Sequence, residues 1–111
     1  MSQKQKPPSG EVVVVPTTAP DLKSAQKIGR DLVERAACVN VVPGVRSIYR
    51  WDGEVQNEEE VVLIIKSSPK ALDRLTQAIK ELHPYDVPEV AAIPVVGGSK
   101  EYLEWVVAPS L

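Results

Sequence analysis

The sequence predicts a single α+β domain in the order strand, helix, strand, strand, helix, strand, with a short helix appended. Three observations carry that prediction. Runs of β-branched and aliphatic residues occur at 12–15 and 61–65, and two stretches of three- and four-residue apolar periodicity follow them. The dipeptide Asp52-Gly53 is a favoured turn between the two middle strands. A chain of 111 residues can build one core but not two ordinary domains, so residues 11–111 are read as the domain. Residues 1–10 are polar and contain Pro7-Pro8, the composition of a loose, disordered tail.

The elements follow in order. Val12-Val13-Val14-Val15 is continuously apolar, which suits a strand buried on both faces. Asp21 is placed to cap a helix whose stripe is Leu22, Ala25, Ile28, Gly29, Leu32, Val33 and Ala36. Residues 38–51 read as a strand interrupted at Pro43-Gly44, a bend or bulge signal. Beyond it Val45, Ser47, Tyr49 and Trp51 share one face and Arg46, Ile48 and Arg50 the other. The polar stretch 56–60 allows a longer connection than the Asp-Gly turn alone, followed by a strand at 61–66. Ser68-Pro69 opens a second helix with the stripe Ala71, Leu72, Leu75, Ala78, Ile79 and Leu82, and Pro84 should end it at His83. Residues 87–96 read as an edge or kinked strand because they carry Pro88 and Pro94. Gly97-Gly98-Ser99 then turns into a short helix. This order is the split βαβ arrangement of ferredoxin-like folds.

Each arm of the central hairpin could run for about 13 residues, or ~40 Å, whereas the second helix covers only ~21 Å. The overhang carries Ile48, Tyr49, Trp51 and Val55. Either Pro43-Gly44 folds it back over its own core, or another copy of the chain covers it, and the edge-strand argument favours the second.

Composition excludes several function classes. The hydrophobic share of 43% and charged share of 25% are those of a globular protein, and no apolar run approaches the ~20 residues of a membrane helix. Thirteen Lys and Arg are scattered among fifteen acids, for a net charge of −2, which leaves no footprint for nucleic acid. The single cysteine, Cys38, cannot form an internal disulfide. A cytoplasmic protein with no membrane or nucleic-acid partner is expected. No nucleophile–base pair and no phosphate loop can be read, so the chain is not expected to be an enzyme.

Four segments carry a family resemblance. Ala36-Ala37-Cys38-Val39-Asn40, Pro43-Gly44, Ser47-Ile48-Tyr49-Arg50-Trp51-Asp52-Gly53 and His83-Pro84-Tyr85-Asp86-Val87-Pro88-Glu89 occur in the order found in the CutA family of divalent-cation tolerance proteins, which the chain resembles from about residue 12 to 105. The resemblance implies a homotrimer of ferredoxin-like subunits, similar in assembly to the PII signalling proteins. It also implies a part in tolerance of copper or other divalent metals. An alternative is a PII-like signalling or scaffold trimer that binds a small molecule or protein partner at clefts between subunits.

Candidate site residues are few. His83 is the only histidine, and imidazole is a common ligand for copper and zinc. The resemblance adds Glu89 as a second ligand for Cu(II) or another divalent cation, not tightly bound. It also sets Thr17 where some members carry a cysteine, which disfavours Cu(I). The other role open to His83 is to cap the second helix. Cys38, flanked by Ala37 and Val39, reads as a buried small hydrophobe, and Glu58-Glu59-Glu60 as a solvated charge run. Tyr49 with Trp51, and Tyr102 with Trp105, form two aromatic pairs suited to an interface or inter-subunit cleft. Lys66 could place a positive charge in such a cleft and attract a small anion.

Overall fold

A computed structural model describes residues 11–36 and 38–108; the tail expected at residues 1–10 lies outside the described residues. The elements are β1 (Val13–Ala19), α1 (Leu22–Leu32), β2 (Cys38–Trp51), β3 (Glu54–Ser67), a 3-10 turn (Pro69–Ala71) leading into α2 (Leu72–Leu82), β4 (Ile93–Pro94) and α3 (Lys100–Val107). They build one antiparallel sheet of order β2-β3-β1-β4, the ferredoxin-like topology that the element order predicts. No helix among the described residues is long and apolar enough to cross a membrane.

Both long helices pack on one face of the sheet. Val15 and Ala19 of β1 and Val61, Leu63 and Ile65 of β3 meet Ala25, Ile28 and Leu32 of α1 and Leu75, Ala78 and Ile79 of α2. Burying each large aliphatic side chain contributes about 1.5–3 kcal/mol, so these positions carry the stability of the domain. The apolar run of β1 suggested burial on both faces, but burial alternates along the strand. Val14, Pro16 and Thr18 are only half-buried because the helices lie on the other side.

Asp21 caps α1 as expected, its carboxylate accepting the Ser24 N–H at 2.7 Å. The helix stops at Leu32, short of the Ala36 to which its stripe extends. The Arg35 N–H bonds the Leu32 carbonyl at 2.8 Å, which tightens the last turn and throws Val33 into solvent while Ala36 stays buried.

The hairpin arms are about as long as the sequence allowed, and the longer connection left open at 56–60 is absent. Each arm has 14 residues, because β3 starts at Glu54 and no loop intervenes at 56–60. The two-residue turn is enough: Asp52 and Gly53 have φ of 54° and 79°, the pair of positive values that matches the twist of a hairpin. At Pro43-Gly44 the register of β2 against β3 shifts between Val42 and Val45, a bulge in which Gly44 takes φ of 79°. β1 ends at Ala19 opposite Val61, so residues 54–60 and 45–51 project past it as a two-stranded ribbon.

The last strand is shorter than expected. Only Ile93 and Pro94 pair with β1, and the rest of 87–96 lacks a ladder, consistent with the donors missing at Pro88 and Pro94. The Val95 N–H bonds the Val12 carbonyl at 3.0 Å, and a small second cluster forms there from Val12, Val95, Leu103, Val106 and Val107. Ser99 caps α3 by accepting the Tyr102 N–H at 3.3 Å.

Thr17 is the exception in the main core. It is fully buried, and its hydroxyl has no hydrogen-bond partner among the described residues. A buried, unpaired hydroxyl is a cost that an isosteric methyl removes. Thr17→Val is therefore expected to stabilise the fold by about 1 kcal/mol, a rise of ~4–8 °C in thermal midpoint for a domain of this size. A fall in the midpoint would mean that the hydroxyl is bonded in solution.

Candidate functional site

The site grows from the end of α2. His83 leaves helical geometry with φ −81° and ψ 137°, as the following proline requires, while its N–H still bonds the Ile79 carbonyl at 2.9 Å. The side chain is buried and turns toward the end of β1. Its Nε2 is hydrogen-bonded to the Thr18 carbonyl, and its Nδ1 accepts the Tyr85 N–H at 3.1 Å. A backbone N–H can only donate and a carbonyl can only accept. The imidazole is therefore the neutral tautomer with its proton on Nε2, and both nitrogens are committed.

That bond pattern sets the next residues in place. The Tyr85 ring lies 4.7 Å from the imidazole, tilted by 45°, and its hydroxyl donates to Glu60 Oε2 at 2.5 Å. Glu60 is the last β3 residue before the pairing with β1 begins, and it is only 5% exposed. This corrects the expectation of a solvated acidic run: Glu58 and Glu59 are exposed, but Glu60 alternates onto the face of Val62 and Ile64 and is roofed by Tyr85. Glu58 in turn accepts the Tyr49 hydroxyl at 2.6 Å.

Together these residues wall a groove of about 630 Å³. It is lined by Thr18 at the end of β1, by Ser47, Tyr49, Trp51 and Glu60 on the hairpin, and by residues 84–89 after α2. Among the described residues its ionisable walls are Glu60, Asp86, Glu89 and two tyrosines, with no lysine or arginine.

The structure divides the sequence-predicted residues into three places. Tyr49, Trp51 and Glu89 line the groove, and His83 sits against its inner end through Thr18 and Tyr85. Lys66 is opposite Val14, four residues or ~13 Å along β1 from Thr18, and donates to the Asn40 side chain. Tyr102 and Trp105 stack on α3 with centroids 6.0 Å apart, outside the groove. Lys66 and the two aromatic pairs therefore do not share a cleft within one chain. Cys38 is half-buried rather than buried, its sulfur 3.8 Å from Asn40 Oδ1.

The residues do not fit a closed metal centre. Zinc and copper sites take three or four protein ligands, and among the described residues no group of three His, Cys, Asp or Glu side chains is placed to hold an ion. His83 would have to break one of its two hydrogen bonds to offer a lone pair. Sequence reasoning missed Glu60, Tyr85 and Asp86 as site residues. Tyr85 and Asp86 were in view within the His-Pro-Tyr-Asp motif, whereas the burial of Glu60 depends on a residue 25 positions away.

The surroundings of the groove raise the pKa of both tyrosines. The hydrogen bond to Glu58 is the main reason that Tyr49 is pushed up to about 12, and burial followed by the bond to Glu60 moves Tyr85 higher still. A phenol whose pKa is raised on folding stabilises the fold below its unfolded value of 10.0 and loses that contribution as pH rises through the folded value. Tyrosinate absorbance is thus expected to rise late for two of the three tyrosines, with alkaline unfolding accompanying the last step. In Tyr85→Phe the latest step should vanish; its persistence would contradict the Tyr85–Glu60 bond.

Comparison with known proteins agrees with this architecture. A sequence model of the family described as CutA1 divalent ion tolerance protein matches residues 13–108. The divalent-cation tolerance protein CutA of Thermus thermophilus is 47% identical over 97 residues, covering 86% of this chain and 92% of that relative. The chloroplastic protein CutA of Arabidopsis thaliana is 46% identical over 95 residues, covering 84% of this chain; the chain spans only 52% of that longer protein. Among solved structures, the divalent cation tolerance protein (Cut A1) from Thermus thermophilus aligns with a TM-score of 0.86 and 44% identity, over 89% of this chain and 98% of that one. By sequence and by fold, the chain belongs to the CutA1 divalent ion tolerance protein family.

Proposed function

We propose that the chain acts in divalent-cation tolerance as a non-catalytic, cytoplasmic homotrimer that meets cations such as Cu(II) weakly, at surface carboxylates rather than in a closed centre. The observation that carries the assembly is the projecting hairpin. Ile48 and Val55 are diagonal neighbours on it, 67% and 63% exposed, and β2 is an edge strand with no second strand partner among the described residues. An open edge with an apolar ribbon invites strand pairing with another copy. The half-buried sheet face of Val14, Pro16, Val62 and Ile64, which neither α1 nor α2 covers, offers further apolar area. A head-to-tail contact of this kind closes as a ring when the rotation permits, and three copies make the smallest such ring with distinct contact surfaces.

The hydrogen bonds of His83 support the weak-binding part of the reading. With both imidazole nitrogens engaged, the exposed carboxylates of the groove open to a cation are Glu89 and Asp86, on one short segment. Oxygen donors of this kind suit hard or borderline divalent ions held loosely. In this reading His83 holds the segment and Glu89 meets the ion. The groove favours a second reading, a PII-like trimer that responds to a small molecule.

Native mass measurement is expected to give three times the chain mass of 12.1 kDa, and Ile48→Asp to shift the population toward monomer. A monomer at micromolar concentration would end the trimer reading. In calorimetric titration with Cu(II) and Zn(II), Glu89→Gln is expected to weaken binding several-fold, while His83→Ala lowers the thermal midpoint and leaves metal affinity unchanged. A loss of affinity confined to His83→Ala would return the histidine to the metal site.

A further inference from the structure

His83 is buried, and its bonds lock it into one protonation state. It is 7% exposed; Nε2 donates to the Thr18 carbonyl, and Nδ1 accepts the Tyr85 N–H at 3.1 Å. A second proton leaves the Nε2 bond intact, because that nitrogen donates in both charge states. At Nδ1 the effect is the opposite. An imidazolium carries N–H at both nitrogens, so a proton there faces the Tyr85 N–H donor to donor. Turning the ring over gives no relief, since an imidazolium offers no acceptor in either orientation.

The path of residues 84–89 hangs on that bond. Pro84 has no N–H, and no backbone–backbone hydrogen bond holds residues 84–92 among the described residues. Tyr85 ties the segment down at two points, its N–H on His83 and its hydroxyl on Glu60, and Val90 packs the far end against the main core. The charged residues on the elements around the ring are Lys80 and Glu81 at the end of α2, Asp86 in the segment, Glu60 on β3 and Asp21 beyond β1, the last engaged on the Ser24 N–H. Tyr85, in ring contact, is a neutral phenol throughout the acid range. Four of the five charged groups are carboxylates, so an imidazolium released from its bonds meets opposite charge.

We propose that His83 is an acid-operated latch on residues 84–89: a proton taken from solvent at Nδ1 breaks the Tyr85 N–H bond and frees the segment, while α2 and the sheet stay folded. The bonded form is the neutral one, so the hold is complete at high pH and is lost as pH falls. The inference rests on the hydrogen bonds within one chain, on neither the three-chain assembly nor a bound cation.

The test is nitrogen-detected NMR of the His83 ring with amide hydrogen exchange of the full chain, across about pH 8 to 5, where histidines change charge. Each exchange rate is expressed as protection relative to unstructured chain at the same pH. As the ring takes up its second proton, protection of the Tyr85 amide is expected to fall about tenfold, the equivalent of one hydrogen bond. The His83 amide, bonded to the Ile79 carbonyl at 2.9 Å, should keep its protection. His83→Asn supplies a carboxamide oxygen that accepts the N–H two residues on and does not titrate, so its Tyr85 amide should be equally protected at pH 8 and 5. In His83→Ala, which has no acceptor, that amide should be unprotected already at pH 8. Where a variant fails to fold, the titration of the unaltered chain decides alone. A Tyr85 amide that stays protected while the ring titrates, or a ring that stays neutral down to pH 5, would overturn the proposal. So would a loss of protection shared by the His83 amide, which is fraying of α2 or acid unfolding, or an undiminished pH response in His83→Asn, which would assign the switch to a carboxylate.

Discussion

The imidazole of His83 is the interaction on which the rest of the site depends. It joins the last turn of α2 to the Thr18 carbonyl of β1 and takes the N–H of Tyr85, so a single neutral ring fixes where residues 84–89 leave the helix. From there Tyr85 reaches Glu60, and the groove between the hairpin and this segment acquires its inner wall. Were His83 free to rotate, the exit of α2 would lose its direct tie to β1. The same commitment of both nitrogens means that the ring must give up a hydrogen bond before it can offer a lone pair to a metal. Structure and binding chemistry are thus in competition at one side chain.

The second constraint is a mismatch of lengths. A 14-residue strand extends ~46 Å, more than twice the ~16 Å of an 11-residue helix such as α2. The helices therefore cover the sheet near β1 and leave the ribbon bare. The bulge at Pro43-Gly44 re-aims β2 where β1 gives out, so Tyr49 and Trp51 fall on the side of Glu60 and the groove, while Ile48 and Val55 fall on the other. One ribbon then has two sides: an aromatic and acidic face toward the groove, and an apolar face beside the edge of the sheet.

Much of this was legible in the sequence, for identifiable reasons. Asp21, Ser99, Pro69, Pro84 and Asp52-Gly53 act within a few residues of themselves, so the start of α1, both ends of α2, the start of α3 and the hairpin turn could be read locally. The ladder of residues 54–60 was not legible, because a run of polar residues looks like loop unless the partner strand is known. The failure at 87–96 has the opposite cause: β-branched residues suggested a strand, but prolines withheld the donors that a ladder needs. Tyr49 and Trp51 could be placed on one strand face by alternation, whereas Glu60 depends on Tyr85, and His83 on Thr18, 65 residues away. Residue type marked His83 as important and could not say whether its lone pair was free.

The central claim is that His83 is a neutral structural link and that cations are met by carboxylates. Nitrogen-detected NMR of the His83 ring, before and after addition of Zn(II), tests it most directly. The account predicts a proton on Nε2, an accepting Nδ1, and ring signals that stay in place while those of Glu89 move. A metal-shifted ring nitrogen, with loss of the Nε2 proton, would contradict it.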